Sequence, residues 1–382
     1  MQEPVYLVTG ATGKTGSAVT TRLLERGESV RAVVHRRDAR SAALERLGAD
    51  VVVADIFDAD RLLTAMRGAR RAYYCPPWHR HMLASAVAFA AAAREARLEA
   101  VVGLTQWLAS PAHPSFLTRQ HWLADNVLSM IPETVHVAIA PGYFADSYLM
   151  ADVLRFAAHL GVFPWPYGDS KNAPPANEDI ARVAVAVLLD PQAHAGRAYR
   201  PTGPELLSGA DMAAILTRVF GHHVTPLPMP MWMFVRAMSV SGFSAFQQLD
   251  AREYVREHRR GAFAFNAPTD HVIALTGRPA ETFETTARRY AALPQLAPTF
   301  ANRARTAALF AAIGMRASTD LEAYERRADL PTPPSPHFVV DDERWLIARD
   351  PEWANLPAVQ RLDLRETDDD VRARSLPEAA VR

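Results

Sequence analysis

The sequence predicts an α/β protein: a doubly wound, mostly parallel sheet, then a smaller α/β lobe and a C-terminal extension. Three observations predict it. A β-branched run at 5–8 reaches glycines at 10, 13 and 16 and passes into an amphipathic segment, the order strand, tight turn, helix. Apolar strand-like runs then alternate with helical periodicity through residue 140, the pattern of consecutive βαβ units. The chain, 382 residues with 49% hydrophobic residues, is long enough to bury a large core and to hold two domains, or one domain with additions.

The first turn carries the strongest chemical signal. Glycines at this spacing permit a tight turn, a close approach of backbone amides to a pyrophosphate, and close helix–sheet packing, with the positive helix end facing phosphates. The expected ligand is a dinucleotide, held by Gly10, Thr12, Gly13, Lys14, Thr15 and Gly16. A nucleotide-hydrolase loop would need glycine at position 8, where Val8 stands, so Lys14-Thr15 is not read as such a motif. A second strand at 30–34 ends in His35-Arg36-Arg37-Asp38. About 20 positions past the loop an acidic residue would meet a free ribose hydroxyl, whereas Arg36 suits a 2′-phosphate and predicts NADP(H) over NAD(H). Asp38 tempers that preference if it pairs with an arginine.

A helix near 41–47 leads to a strand at 50–54 closed by Asp55, which can accept from adenine or cap the next helix at 59–67. The fourth strand, 71–75, stops at Pro76-Pro77. Cys75, His79 and His81 straddle that break without a metal-site spacing, so no metal is expected. An Ala-rich helix at 82–97 precedes a buried strand at 100–104 that ends at Thr105, Gln106 and Trp107. Ligands of open parallel sheets bind beyond the strands' carboxyl ends, so these three are expected at a reaction site. A helix with His121 and Asp125 follows, then a strand at 135–140 and the turn Pro141-Gly142-Tyr143-Phe144.

These segments together resemble the NmrA-like branch of the atypical short-chain dehydrogenases. The likeness rests on residues 9–16, the basic end of the second strand, Asp55, residues 141–144, 177–181 and 275–279, and runs from about Val5 to Ala292. It implies an NADP-binding Rossmann domain over 1–150, to which 177–203 returns, a smaller substrate lobe over 151–292, and a cleft between them; 293–382 is then a partly flexible extension. It also implies Pro141 and Gln106 at the cofactor, and quinone or azo reductases, phenylpropanoid reductases or non-catalytic dinucleotide-binding regulators as relatives.

The chain departs from the wider family in its acid–base pair. Short-chain dehydrogenases use Tyr-x-x-x-Lys, but the only lysines here are Lys14 and Lys171, and His121 stands where the helical lysine is expected. His121 can give a proton or hold a carbonyl, or can simply pair with Asp125 one helical turn on. The catalytic candidates are therefore His121, Thr105 and Tyr143. An enzyme would pass hydride from NADPH to a flat, apolar quinone-like or conjugated carbonyl acceptor by orientation and desolvation. A redox sensor would bind NADP in the same pocket and change an interface with a protein partner.

In the second lobe, 177–189 reads as an amphipathic helix capped by Asn177, and Ser208 with Asp211 as a capping box opening a helix that ends at Gly221. The methionines and aromatics of 226–235, with Phe243, Phe246 and Tyr254, either line the cleft or pack in the core. Residues 163–167 form a candidate lid, with Trp165 at its centre. In the extension, a helix at 299–312, a proline-rich linker at 330–336, a solvated run at 366–372 and two tryptophans, Trp345 and Trp353, are expected; the tryptophans should pack on the core or on a second copy in a homodimer.

Composition narrows the partners. Lys plus Arg equals Asp plus Glu at 42 each, so no net positive field favours nucleic acid or an anionic membrane. A single cysteine, no leader-like N-terminus and no apolar run of about 20 residues fit a cytoplasmic protein.

Overall fold

A computed structural model describes residues 5–350. Strands β1 (Val5–Val8), β2 (Ser29–Val34), β3 (Asp50–Val53), β4 (Ala69–Tyr74), β5 (Ala100–Leu104), β6 (Val135–Ile139) and β8 (Ala198–Tyr199) form one parallel sheet in the order β3-β2-β1-β4-β5-β6-β8. The reversal of direction between β1 and β4 is the topological switch point at which such sheets bind ligands. A separate parallel pair joins β7 (Val162–Trp165) to β9 (Thr225–Pro228).

Both faces of the main sheet are covered, which is why its strands read as near-continuous apolar runs. Helices α1 (Lys14–Leu24), α2 (Ala39–Arg46) and α8 (Asn177–Leu189) share one core with Val8, Val34, Val102 and Ile139. Helices α3 (Ala59–Met66), α4 (Met82–Glu95) and α5 (Phe116–Ser129) bury Leu7, Tyr74 and Val101 on the other face. A third core forms around β7 from α6 (Ala145–Tyr148), α7 (Ala151–Leu160) and α9 (Gly209–Phe220). The remaining helices are α10 (Met231–Val240), α11 (Ala245–Arg259), α12 (His271–Thr276), α13 (Phe283–Ala291), α14 (Phe300–Met315), α15 (Leu321–Ala328) and α16 (Glu343–Arg349).

Several expectations are corrected. Asn177 is the first residue of α8, not its cap; Ala176 holds the cap position, and the Asn177 side chain accepts from the Thr15 hydroxyl at 2.8 Å. Asp58 rather than Asp55 caps α3, by accepting from the amides of Asp60 and Arg61. Trp165 is no lid: it lies in the third core, stacks on Tyr148 at 5.7 Å and donates its indole N–H to the Gly168 carbonyl at 2.6 Å. The Ser208–Asp211 capping box and the left-handed Gly221 at the end of α9 form as expected. Leu330 packs into the core and the Pro331 carbonyl accepts from Arg119, so this part of the proline-rich stretch is anchored. Trp345 is buried edge-on against Trp107 at 5.2 Å. Trp353 and the run 366–372 lie outside the described residues, as do residues 1–4.

Candidate functional site

The glycine turn is built for close approach. Gly10 has φ of +60°, a conformation that costs a side chain energy, and a Cβ there would come within 3.1 Å of the Cys75 Cβ. At Gly16 a Cβ would lie 2.2 Å from the Gly10 carbonyl oxygen, so the first turn of α1 can sit on the loop only as glycine. The Gly13 amide donates back to Gly10 at 2.8 Å and closes the turn. Lys14 does not project freely into solvent: its ammonium donates to the Tyr290 hydroxyl at 2.8 Å, and Tyr290 in turn donates to Asp146 at 2.6 Å. Burial lowers the Lys14 pKa below that of a free lysine.

At the end of β2, Arg36 is exposed and no described residue pairs with it. Arg37 is occupied by Glu45 and the Val51 carbonyl. Asp38 does not approach Arg36; it caps α2 and binds Arg40, which hold its carboxyl down near pKa 2. Arg40 is a residue that the sequence reading missed. Its guanidinium reaches the Thr12 carbonyl at 3.5 Å, which places a second cation beside the glycine turn. Its position four residues after Arg36, at the start of a helix, was the available signal. Asp55 is exposed, with one carboxylate oxygen accepting from the Phe57 amide at 3.0 Å.

Beyond the carboxyl ends of β4, β5 and β6 lies a cavity of about 490 Å³, within the usual range for small-molecule sites. Thr105, Gln106, His121, Pro141 and Tyr143 all line it, brought together from β5, α5 and the turn after β6. The Thr105 hydroxyl donates to Asp125 at 2.7 Å. Gln106 accepts from Thr118 through its amide oxygen at 3.0 Å. The Tyr143 hydroxyl accepts from Tyr167 at 2.8 Å, so its own proton is available to a further acceptor. Trp107, expected at the site, is instead buried and absent from the cavity lining, with the guanidinium groups of Arg200 and Arg349 at 3.7 and 4.9 Å from its ring centroid.

The expected His121–Asp125 pair does not form, because the Thr105 hydroxyl takes the aspartate from the strand side. No described residue hydrogen-bonds to the His121 ring, and burial pushes its pKa down to about 3. His121 is therefore neutral near pH 7: it can hold a polar atom but carries no spare proton. Burial lifts Asp125 to about 7, against the lowering effects of Thr105 and Arg349, so Asp125 is the group here that keeps a proton near neutrality.

The rest of the wall is apolar and aromatic. Met229, Phe234, Phe243 and Tyr254 line the cavity, whereas Met231 and Phe246 pack in cores, so the methionine-rich stretch divides between the two roles. Leu309 and Ile313 of α14 also line it, and nothing in the sequence pattern assigned them there. Cys75 stays beside the glycine turn, its thiol raised to about 12 by burial. No group of three potential metal ligands occurs among the described residues, and none of their helices is long and apolar enough to cross a membrane.

A family model described as NAD(P)H-binding matches residues 10–136. An NAD(P)H azoreductase of Xenophilus azovorans is 30% identical over 297 residues, covering 75% of this chain and 98% of the azoreductase. Among solved structures, an NADPH-dependent quinone oxidoreductase of Escherichia coli in complex with NADPH superposes with a TM-score of 0.64 at 23% identity, covering 74% of this chain and 99% of that one. A Citrobacter triphenylmethane reductase complexed with NADP(H) gives 0.65 at 19% identity, covering 75% and 99%. The two superpositions establish a common fold.

Proposed function

The chain belongs to the NAD(P)H-binding, NmrA-like branch of the atypical short-chain dehydrogenases, and from that membership we propose that it reduces flat, apolar, electron-poor molecules, quinones and conjugated carbonyls first, using NADPH. The observation that carries this reading is the apolar cavity at the strand ends, lined by Thr105, Gln106, His121, Pro141 and Tyr143 with no lysine among its walls.

The residues fit a dinucleotide. The turn at Gly10–Gly16 is folded so tightly that its glycines admit no side chain, the geometry that brings backbone amides and a helix N-terminus close to a pyrophosphate, and the unpaired Arg36, with Arg40 beside Thr12, suits a 2′-phosphate. When bound, NADPH supplies a hydride. Pro141 and Gln106 orient the reacting ring; Tyr143 offers its hydroxyl proton to an acceptor oxygen that gains negative charge. Protonated Asp125 can donate to Thr105, whose hydroxyl then turns its own proton toward the cavity. His121 holds a carbonyl in its neutral form. Quinones ask little of an acid, so orientation and exclusion of water suffice. The azoreductase relative and the quinone oxidoreductase likeness support the same class of acceptor.

The test is NADPH oxidation with a panel of quinones, enals and azo dyes. Turnover is expected, to persist within about tenfold in His121→Ala, and to fall steeply at low NADPH in Arg36→Ala. Tight NADPH binding without turnover of any acceptor would replace this reading with a dinucleotide sensor.

A further inference from the structure

The cavity has two unlike halves. The strand-end half carries the polar atoms of Thr105, Gln106, His121 and Tyr143. The opposite half is walled by α7, α10 and α14 through Phe156, Phe234, Met238, Leu309 and Ile313, which offer no polar side-chain atom. A ring held at the first half leaves the second to be filled by water or by hydrocarbon, and an apolar wall favours hydrocarbon.

Helix α14 is unusual in how it is used. It follows the last family-like segment, which ends near Ala292, and it faces the protein chiefly through Asn302, Thr306, Leu309 and Ile313. Asn302 caps the preceding turn by donating to the Pro294 and Ala297 carbonyls at 3.0 Å, and Thr306 donates back to the Asn302 carbonyl at 2.9 Å; both are spent on local anchoring. The two remaining inward side chains are those that reach the cavity. At the rim Ser241 donates to Asp152 at 3.1 Å, and deeper in, Asp250 is held by Ser115 and Trp78 at 2.6 and 2.9 Å. Asp152 also pairs with Arg155 at 3.7 Å, and no lysine or arginine among the described residues lines the cavity, so an anionic chain is disfavoured.

We propose that α7, α10 and α14 form a channel for a neutral hydrocarbon tail, so that the preferred substrate is a quinone-like ring carrying an alkyl or prenyl chain. This rests on the reductase reading above. The ring sits by His121 and Tyr143, and the tail runs between Phe156 and Met238 on one side and Leu309 and Ile313 on the other. Apolar burial of each methylene improves binding by up to about fourfold.

The experiment measures kcat/KM at saturating NADPH for one benzoquinone ring bearing no tail, a four-carbon tail and a ten-carbon tail. It also measures the dissociation constant of each quinone for the NADPH-free protein by tryptophan quenching. Tail length is expected to raise kcat/KM and tighten binding, by tenfold or more from none to ten carbons. In Leu309→Trp, which fills the channel, and Leu309→Gln, which keeps its size but makes it polar, the ratio of ten-carbon to tailless values should collapse toward one. Tail-independent values in the wild type, or an unchanged ratio in both variants, would overturn the channel. Turnover of the tailless quinone alone keeps the reductase reading, whereas tail-dependent binding without any turnover keeps the channel and sinks the reductase.

Discussion

The nucleotide turn and the substrate cavity are made in opposite ways. The turn is local: Gly10, Gly13 and Gly16 lie within seven residues, and all three are set by contacts to backbone or to an adjacent strand end. The cavity is assembled from segments running from Pro76 to Ile313, most of whose side chains could be exchanged for others of similar volume. Steric exclusion at a backbone tolerates nothing, whereas an apolar wall tolerates repacking. Substitutions at the turn should therefore act on folding and cofactor together, and substitutions at the cavity on the acceptor alone.

The largest expected effect tests the turn. Gly16→Ala would put a methyl group 2.2 Å from the Gly10 carbonyl, and the loop must open to admit it. A loss of about 3 kcal/mol or more is expected, with NADPH affinity lost in the protein that still folds. An unchanged melting temperature with intact NADPH binding would end the contrast between the two regions. Next, Arg36→Ala should weaken NADPH about 10- to 100-fold, the worth of one charge-assisted phosphate contact, and leave NADH within about twofold. Equal weakening of both cofactors, or tighter NADH than NADPH in the wild type, would remove Arg36 from the phosphate site.

The smallest effect concerns Asp125, which accepts from Thr105 of the cavity wall. Its carboxyl binds a proton more tightly folded, near pH 7, than at its ordinary 3.8. The folded state thus loses stability as pH rises from about 4 to about 7 and loses no more above that. Discounted for partial exposure, the loss is about 2 kcal/mol. Denaturation midpoints of the wild type and Asp125→Asn between pH 5 and 8 would check it: the variant should flatten the slope. The buried histidines, His121 among them, add a slope of opposite sign below about pH 6.5 to both proteins, so the readout is the difference between the two. A difference that does not change with pH would mean that Asp125 is ionised throughout.

What could be read in the chain follows the same division. Strand β5 spans the residues that its unbroken apolar run indicated, and the capping box at Ser208 formed because both of its partners lie three residues apart. Asn177 looked like a cap by the same local logic, but Thr15, 162 positions away, holds its side chain. His121 and Asp125 looked like a helical pair until the strand end supplied Thr105. Trp165 looked like a lid because residues 163–167 stand between the two lobes in the sequence; its pairing in β7 with β9 buried it.

By itself, then, the sequence determined the parallel α/β fold, the glycine turn and the basic end of β2, since each depends on periodicity, sterics or charge within a few residues. Only the tertiary structure decided which side chains face the cavity. It left His121 without a hydrogen-bond partner among the described residues, gave Asp125 to Thr105, brought Arg40 to the turn and carried Leu309 and Ile313 across from α14. Those outcomes depend on which distant surfaces bury one another, and burial also set the protonation of His121 and Asp125.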